Sequence, residues 1–248
     1  MDEQLYRLMY EVEDRHWWFR GRAAVVAAML GRLDLGDSPR ILDAGCGTGR
    51  NLQRYAQLGP AQGIEPSADA VQFCRERGLD NVQQATLEQL PFGEGSFDLM
   101  VATDVLEHVD DDALALRELH RVAAPGGRLV MTVPAFRWLW SEEDDRLGHR
   151  RRYTRKGLRA LTEQSGWEPL FATYFNLLLL APIALARRFR DRRDAGRAEA
   201  AQRSELNLTP GWLNAPLSVP MRLEAGLIRA GLPLPIGVSI GIACRRAP

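Results

Sequence analysis

The sequence predicts an α/β fold in which helices cover both faces of a mostly parallel sheet. Short apolar runs alternate with amphipathic helical segments along the chain, and this alternation is typical of right-handed βαβ units. The first apolar run ends in a glycine-rich turn that opens a helix, as expected where a buried strand enters a tight turn. In an open sheet of this kind, the ligand site is expected at the carboxyl ends of the strands.

The composition is that of an ordinary globular protein. The chain has 248 residues, of which 46% are hydrophobic and 26% are charged. These values exclude disorder, collagen and coiled coil as descriptions of the whole chain, and the length fits one α/β domain with an insertion. Lys plus Arg and Asp plus Glu both total 32, so the net charge is zero, which argues against a nucleic-acid partner.

Cysteine and histidine are too few and too scattered to predict a disulfide framework or a Cys/His zinc site. The chain has three cysteines, no Cys-x-x-Cys motif and four histidines, so we expect no metal and a reducing, cytoplasmic location. The N-terminus is acidic and polar, unlike a secretory signal peptide. The longest apolar stretch, residues 170–186, is too short and too polar to predict a membrane span.

The first part of the chain is predicted to contain an N-terminal helix and two strand–helix pairs. Helical spacing of apolar residues indicates the helices, and short apolar runs next to turn residues indicate the strands. Ser67 stands where a helix N-cap is expected, since its hydroxyl can accept a hydrogen bond from the first free N–H groups. The predicted elements are a helix at 4–30, a strand at 40–44, a helix at 50–58, a strand at 62–65 and a helix at 67–77.

The second part continues the alternation and then becomes mostly helical. Pro125-Gly126-Gly127 ends one helix before a strand, and the β-branched run 236–244 predicts a final strand. The other predicted elements of this part are strands at 81–85, 97–103, 128–133 and 167–174 and helices at 111–123 and 154–165. The predicted domains are an N-terminal helical arm or lid at 1–36, a core at 37–176, a helical insertion at 177–235 and the final strand of the core at 236–248.

The glycine turn and a nearby acid predict a site for a nucleoside without a pyrophosphate. The turn, residues 43–49, lets a ligand approach the backbone, and the following helix favours an anion such as a carboxylate. Arg50 stands where the dinucleotide pattern needs its third glycine, and the ending of a P-loop is absent. Glu65 ends the second strand, where an acid can accept both hydrogens of a ribose diol. The alternative is a structural turn beside a solvated glutamate.

Four segments in order resemble the class I S-adenosylmethionine-dependent methyltransferases, in particular a bacterial small-molecule type. Residues 41–49, ILDAGCGTG, resemble the first motif of this family. The later matches are to its LPF…GSFDL stretch at 90–99, its D-x-L-E-H-V segment at 103–109 and its ELxRVLKPGG segment at 117–127. The resemblance is strong over about residues 38–135. It implies a Rossmann-like sheet of seven strands with the last strand antiparallel, and S-adenosylmethionine as the cofactor.

The resemblance also implies which residues hold the cofactor. Asp43 would bind the methionine ammonium group, and Arg20 or Arg22 of the N-terminal arm would meet the carboxylate. Thr86 stands where the family often has an Asp for the adenine amino group, so its hydroxyl and the Leu87 backbone would bind adenine instead. The predicted cofactor-binding residues are Asp43, Gly45, Cys46, Gly47, Glu65, Thr86, Leu87, Asp104 and Arg20.

Methyl transfer from a sulfonium requires an aligned nucleophile and, for an oxygen acceptor, a base. His108 follows the fourth strand, and His149 lies in a D-x-x-x-H-x-R-R-Y stretch that resembles a bacterial subgroup, so either is predicted as the base. Arg151 or Arg152 would bind an anionic acceptor group, although the run 150–152 also fits a solvated loop. The predicted substrate residues are Trp18, Arg152 and Tyr153.

The predicted function is methyl transfer to a small-molecule acceptor, with oxygen favoured over nitrogen or carbon. The alternatives are a non-catalytic cofactor-binding regulatory module and an N- or C-methyltransferase, including one that acts on a protein. Nucleic-acid amines are disfavoured by the neutral charge and by the lack of an Asn/Asp-Pro-Pro-Tyr-like motif after the fourth strand.

Two segments outside the core have open roles. The adjacent tryptophans at 17 and 18 point to different faces of a helix, so the arm is either a lid over the cofactor or an ordinary docked surface helix. Residues 177–186 are apolar on all sides and precede an arginine-rich run at 187–203. This insertion is predicted to be a lid over an apolar substrate, a contact with a membrane surface or a homodimer interface.

Overall fold

The computed structural model describes residues 3–185 and 209–247 and contains one central sheet. Its strands are β1 (Ile41–Ala44), β2 (Ala61–Glu65), β3 (Val82–Gln84), β4 (Phe97–Thr103), β5 (Ala123–Pro134), β6 (Trp167–Phe175) and β7 (Ser239–Arg246). The strand order is β3-β2-β1-β4-β5-β7-β6, and β7 runs antiparallel to both of its neighbours. The other pairings are parallel, so the predicted seven-stranded α/β sheet with an antiparallel last strand is confirmed.

Helices cover both faces of this sheet. They are α1 (Glu3–Val12), α2 (Trp17–Leu30), α3 (Arg50–Tyr55), α4 (Ala68–Glu76), α5 (Asp112–Val122), α6 (Glu142–Leu147), α7 (Arg155–Gln164) and α8 (Asn214–Arg229). Ser67 caps α4 as predicted, because its hydroxyl accepts a hydrogen bond from the Ala70 N–H at 3.4 Å. A short stretch at 180–185 is also helical.

Successive residues of the central strands are buried on opposite sides of the sheet, as the two-residue period of a strand requires. In β4, Leu99 and Val101 belong to the apolar cluster that contains residues of α2 and α8. Met100 and Ala102 belong to the cluster that contains residues of α5 and α7. Burial on both faces explains why the strand sequences are almost continuously apolar.

The prediction of one continuous helix at 4–30 is wrong, because residues 13–16 separate α1 from α2. His16 occupies the N-cap position of α2, where its side chain accepts a hydrogen bond from the Trp18 N–H. Glu13 is buried and accepts a hydrogen bond from the Thr48 hydroxyl at 2.5 Å. A contact between distant segments therefore fixes a bend that helical spacing does not reveal.

The later elements also differ in extent from the prediction. Strand β5 begins at Ala123, directly after α5, so it includes Pro125-Gly126-Gly127 rather than starting at 128. The part of the predicted insertion at 186–208, including the whole of the arginine-rich run 187–203, lies outside the described residues. Over the ranges that are described, no helix combines the length and the apolarity needed to cross a membrane.

The strand order places a ligand crevice at the carboxyl end of β1. Strands β2 and β4 flank β1. After β2 the chain continues to β3 at one edge of the sheet, whereas after β4 it continues to β5 on the opposite side of β1. Such a switch point leaves space between the loops that follow the two strands, and ligands of open α/β sheets bind there. The glycine turn, Glu65 and Asp104 all follow or end these three strands.

Candidate functional site

A cavity of about 500 Å³ lies at this switch point. Cavities of roughly 300–1,000 Å³ accommodate small ligands and cofactors. The glycine turn, the loops after β4 and β5 and the first residues of α2 contribute to its wall. The cavity therefore brings the predicted cofactor-binding turn and the predicted catalytic loops to one space.

The glycine turn is shaped for close approach of a ligand to its backbone. Gly45 and Gly47 have φ of +76° and +55°, a conformation that side chains rarely adopt. A Cβ atom on Gly45 would meet Val105 at 2.6 Å, whereas one on Gly47 would point into open space. The turn is thus packed against Val105 at Gly45. At Gly47, which lines the cavity, the backbone is open to a ligand.

Glu65 lines the cavity beside this turn and is only 4% exposed. Its carboxylate accepts hydrogen bonds from the Tyr6 hydroxyl at 3.0 Å, the Gly47 N–H at 3.0 Å and the Ser67 N–H at 3.1 Å. Burial raises the pKa of Glu65, and these hydrogen bonds partly offset that effect. The side chain is therefore held in a defined position at the end of β2.

Asp43 is completely buried directly before the turn. Neither of its carboxylate oxygens accepts a hydrogen bond from any residue within the described part of the chain. Burial raises the pKa of Asp43 to about 7, although the positive charge of Arg22 acts in the opposite direction. A buried carboxylate without donors is costly unless a cation, a donor or a proton reaches it.

The N-terminal arm contacts both the glycine turn and its acid. Tyr6 of α1 bonds to Glu65, and Glu13 accepts from the Thr48 hydroxyl while it pairs with Arg77. His16, Phe19 and both tryptophans of the arm line the cavity. The ring of Trp18 stacks on that of Phe175, with centroids 6.1 Å apart. The two tryptophans are thus partly buried against the core and also face the cavity.

Asp104 lies just after β4, where it connects the arm to the sheet. Its φ is +55°, and its carboxylate accepts from Arg22 at 2.6 Å and from the Thr132 hydroxyl at 2.9 Å. Of the two arginines considered for the cofactor carboxylate, Arg22 lines the cavity and Arg20 is absent from the described lining. Arg22 forms its ion pair with Asp104, which fixes the guanidinium beside the ligand space.

A glutamate and two histidines form another polar part of the cavity wall. The rings of His108 and His149 meet edge to face with centroids 4.8 Å apart. Burial and the neighbouring His149 lower the pKa of His108 to about 4, so its ring is neutral at neutral pH. Glu107 is completely buried, which raises its pKa well above its usual range, and the charge of Asp104 acts in the same direction.

Asp144 orients the His149 ring through a contact with its Nδ1 atom. Its Oδ1 lies 2.7 Å from His149 Nδ1, and both of its oxygens accept hydrogen bonds from Arg152, at 2.8 and 2.9 Å. Burial raises the pKa of Asp144, but hydrogen bonds from His149 and Arg152 outweigh it and hold that pKa well below its usual range. Arg152 also donates to the Ala135 carbonyl at 3.0 Å. The guanidinium therefore holds Asp144 in place through its contacts within the chain, and its predicted contact with an anionic acceptor stays a prediction.

The cavity brings together most of the sequence-predicted site residues. Those that line it are Trp18, Gly45, Cys46, Gly47, Glu65, Asp104, His108, His149 and Arg152. Asp43, Arg20, Thr86, Leu87 and Tyr153 are not part of the lining formed by the described residues. The Tyr153 hydroxyl instead donates to Asp112 at 2.9 Å and the Leu106 carbonyl at 3.2 Å, which places that ring in the core.

Several cavity residues were not predicted from the sequence. They are Tyr6, Glu13, His16, Glu107 and Asn176. Glu107 is adjacent to His108 in the D-x-L-E-H-V segment, so its position in that segment was the available signal. Asn176 is buried with a φ of +60°, and within the described residues its side-chain amide has no hydrogen-bond partner. No local pattern marks Tyr6 or Asn176, since both reach the site by tertiary packing.

Comparison with known proteins finds sequence similarity over the core of the chain. Residues 42–131 match a family model described as a methyltransferase domain. An O-methyltransferase, cnsE, of Penicillium expansum is 37% identical over 109 residues, which are 40% of this chain and 40% of that protein. A malonyl-[acyl-carrier protein] O-methyltransferase of Erwinia pyrifoliae is 36% identical over 99 residues, 39% of this chain and 38% of that protein. The chain thus spans well under half the length of these curated relatives.

Solved structures share the fold over a larger part of the chain. A S-adenosylmethionine-dependent methyltransferase of Thermotoga maritima aligns over 98% of this chain and 95% of its own, with a TM-score of 0.60. The two sequences are 17% identical, so this likeness shows the fold alone.

Proposed function

We propose that this chain, whose residues 42–131 match a methyltransferase-domain model, is a class I S-adenosylmethionine-dependent methyltransferase and transfers a methyl group to a small-molecule acceptor. S-adenosylmethionine is the cofactor of this family, in agreement with the resemblance seen in the sequence. The observation that carries the proposal is the single cavity that joins the glycine turn and Glu65 to His108 and His149. An oxygen acceptor is favoured, since the names of the curated relatives describe O-methyltransferases.

The cofactor end of the cavity is proposed at the glycine turn. Glu65 would accept the ribose hydroxyls, the open backbone at Gly47 would receive the methionine part, and Asp43 would meet the ammonium group. The Thr86 hydroxyl and the Leu87 backbone stay a prediction for adenine. Arg22 is better placed than Arg20 for the carboxylate, because it lines the cavity. The bound cofactor supplies an electrophilic methyl group on its sulfonium.

The acceptor end is proposed at Trp18, His108 and His149. The Trp18 indole offers an apolar wall for part of the acceptor, in keeping with a partly apolar small molecule. Both histidines line the cavity, and an imidazole nitrogen can act on an acceptor hydroxyl. The chain's own contribution to the reaction is then to align the acceptor oxygen and to exclude water.

Calorimetry tests the cofactor end of this proposal. Titration of S-adenosylmethionine into the full chain is expected to show saturable binding, and Glu65→Ala is expected to weaken it roughly 10- to 100-fold, because two charge-assisted hydrogen bonds are lost. Glu76→Ala, at an exposed position of α4, is the matched control and should leave the affinity unchanged. No binding by the wild type would remove the proposed function, and equal binding by Glu65→Ala would remove the ribose assignment.

Product analysis tests the transfer itself. The wild type is incubated with S-adenosylmethionine and a set of hydroxylated and amino-substituted small molecules, and methylated products are identified by mass spectrometry. Oxygen-methylated products are expected. A chain that binds the cofactor but methylates none of the oxygen, nitrogen or carbon acceptors would support the non-catalytic alternative.

The N-terminal arm is proposed to close over the bound cofactor. Glu13 joins the arm to the glycine turn through Thr48 and to α4 through Arg77, and both members of the Glu13–Arg77 pair are about 10% exposed. Glu13→Ala leaves Arg77 without this partner, so hydrogen exchange in α1 is expected to accelerate about tenfold or more. Glu11→Ala, an exposed change on the same helix, serves as the control. Equal exchange in the two variants would show that this contact does not hold the arm.

A further inference from the structure

The cluster of Glu107, His108 and His149 has the composition of a metal site. Glu107 and His108 follow β4, whereas His149 follows α6, so the cluster forms only in the folded chain. One potential ligand atom from each residue lies within 4.8 Å of the others. Glu107 Oε1 and His149 Nε2 are 3.9 Å apart. The two histidines also line the cavity, so the cluster is accessible to a small ligand.

Glu107 has no partner that accounts for its burial. It is 0% exposed, and neither oxygen accepts a hydrogen bond from any residue of the described ranges. The distance of 3.9 Å to His149 exceeds the roughly 2.7–3.2 Å of a hydrogen bond. Arg22 and Arg152 act on its charge from further away, but each of them is paired with an aspartate. A carboxyl group in this state is ionised only if a cation lies nearby, and without one it takes up a proton.

His149 is oriented so that its remaining nitrogen faces this carboxylate. The Asp144 carboxylate can only accept a hydrogen bond, so the proton of the neutral ring belongs on Nδ1, 2.7 Å from Asp144. The Nε2 lone pair then points toward Glu107. A carboxylate that holds one nitrogen of a histidine while the other binds a metal is a common arrangement around metal sites. Arg152 keeps Asp144 in place for this role.

We propose that Glu107, His108 and His149 bind a divalent transition-metal ion of the zinc type through one carboxylate oxygen and two imidazole nitrogens. A tetrahedral ion held at about 2.0–2.2 Å by two atoms separates them by roughly 3.3–3.6 Å, so the Glu107–His149 distance of 3.9 Å would shorten by a few tenths of an ångström on binding. The other separations are at most 4.8 Å and would shorten by up to about 1.5 Å through side-chain rotation. Three protein ligands leave a further coordination position for a ligand from the cavity.

The role of the ion, unlike its binding, rests on the proposed methyl transfer. The open position would hold an acceptor oxygen at the acceptor end of the cavity. A hydroxyl bound to a divalent ion loses its proton to water more readily, so the oxygen becomes nucleophilic without a histidine base. The two predicted catalytic histidines would then act as ligands rather than as proton acceptors.

A zinc titration without cofactor or acceptor tests the site. Tag-free full chain is freed of metal with a chelator and titrated with Zn²⁺ by calorimetry, and equimolar saturable binding is expected. Glu107→Gln and His149→Gln each remove a ligand and are expected to lower the affinity at least 10- to 100-fold. Asp144→Asn, which changes only the residue that positions His149, should lower it less. His120→Gln, at a histidine that packs on Trp167, should leave it unchanged.

Co²⁺ used in place of Zn²⁺ reports the ligand type. Its visible spectrum is expected to lack a thiolate charge-transfer band, because no cysteine belongs to the proposed site. Absence of saturable Zn²⁺ binding, equal affinity in wild type and Glu107→Gln, or a thiolate band from Cys46 and Cys74 would each overturn the proposal. Glu107→Gln removes a buried charge, so this variant is expected to fold. Its Zn²⁺ affinity tests the proposal even if His149→Gln fails to fold.

Measurements on the same samples show whether the metal site or the proposed methyl transfer is wrong. Binding of S-adenosylhomocysteine by each variant, measured in parallel, shows that the cofactor end of the cavity is intact. A chain that binds Zn²⁺ through these residues but transfers no methyl group retains the metal site and loses only the proposed reaction. A chain that binds the cofactor and methylates an acceptor but never binds Zn²⁺ retains the proposed function and loses the metal site.

Discussion

Replacing Asp43 by asparagine is expected to weaken S-adenosylhomocysteine binding roughly 10- to 100-fold near neutral pH, because a charge-assisted hydrogen bond is lost. Asp43 is fully buried, and both of its oxygens lack partners among the described residues, so a ligand's ammonium group is the cation that it is proposed to meet. Asparagine retains the shape of the side chain and removes only its charge. Isothermal titration calorimetry measures the difference, and thermal unfolding confirms that the variant is folded.

The same substitution is expected to abolish a pH dependence of binding. Burial raises the pKa of Asp43 to about 7 in the free protein, and a bound ammonium group would lower it by stabilising the carboxylate. Protonation below about pH 7 therefore opposes binding, and the affinity of the wild type should fall by up to about tenfold per pH unit as the pH decreases. In Asp43→Asn the affinity should stay constant over this range.

Asp80→Asn provides the control for that experiment, because Asp80 is exposed and distant in sequence from the turn. This variant should retain both the affinity and the pH dependence of the wild type. If Asp43→Asn showed the same slope of affinity against pH as the wild type, another group would be responsible and the assignment of Asp43 to the ammonium group would be wrong.

Replacing Arg152 by methionine is expected to lower the free energy of unfolding by about 3–5 kcal/mol, the cost of leaving a buried charge unpaired. The Arg152 and Asp144 side chains are 3% and 1% exposed, and two parallel hydrogen bonds join them. Removing the guanidinium leaves the Asp144 carboxylate with fewer donors in a site that excludes water. Denaturant unfolding monitored by circular dichroism measures the change.

Arg150→Met is the matched control for this prediction. Arg150 belongs to the same arginine run and pairs with Asp110, but the two side chains are 51% and 78% exposed. Water screens such a pair, so its loss should change the free energy of unfolding by about 0–1 kcal/mol. Similar losses of stability in the two variants would contradict the structural role of the Arg152–Asp144 pair.

The position of the glycine turn and Glu65 at one cavity was predictable because these features are local in sequence. The glycines of the turn follow β1 directly, and Glu65 ends the strand that pairs beside it, so chain order alone brings them together in a parallel sheet. Asp43 precedes the turn and was assigned from the same motif. The strand–helix alternation likewise depends on periods of a few residues, which explains why the sheet was predicted correctly.

The part of the cavity around His108, His149 and Arg152 was only partly predictable, because its residues meet through contacts between distant segments. Arg152 looked available to an anionic substrate in the sequence, yet its partner Asp144 occupies the guanidinium in the folded chain. Tyr153 lies next to it but turns into the core. Glu107 was read only as part of a motif, since nothing local shows that His149 lies beside it.

The sequence by itself determined the α/β class, the order of strands and helices, the glycine turn and the acid that ends β2, since each depends on residue spacing along a short segment. Tertiary structure alone decided that the arm bends at 13–16, that Tyr6 reaches Glu65 and that Glu107 faces two histidines without a hydrogen-bond partner among the described residues. These features depend on which side chains from remote segments share a desolvated space. Their energies are set by burial and by the available partners, and neither can be read from linear order.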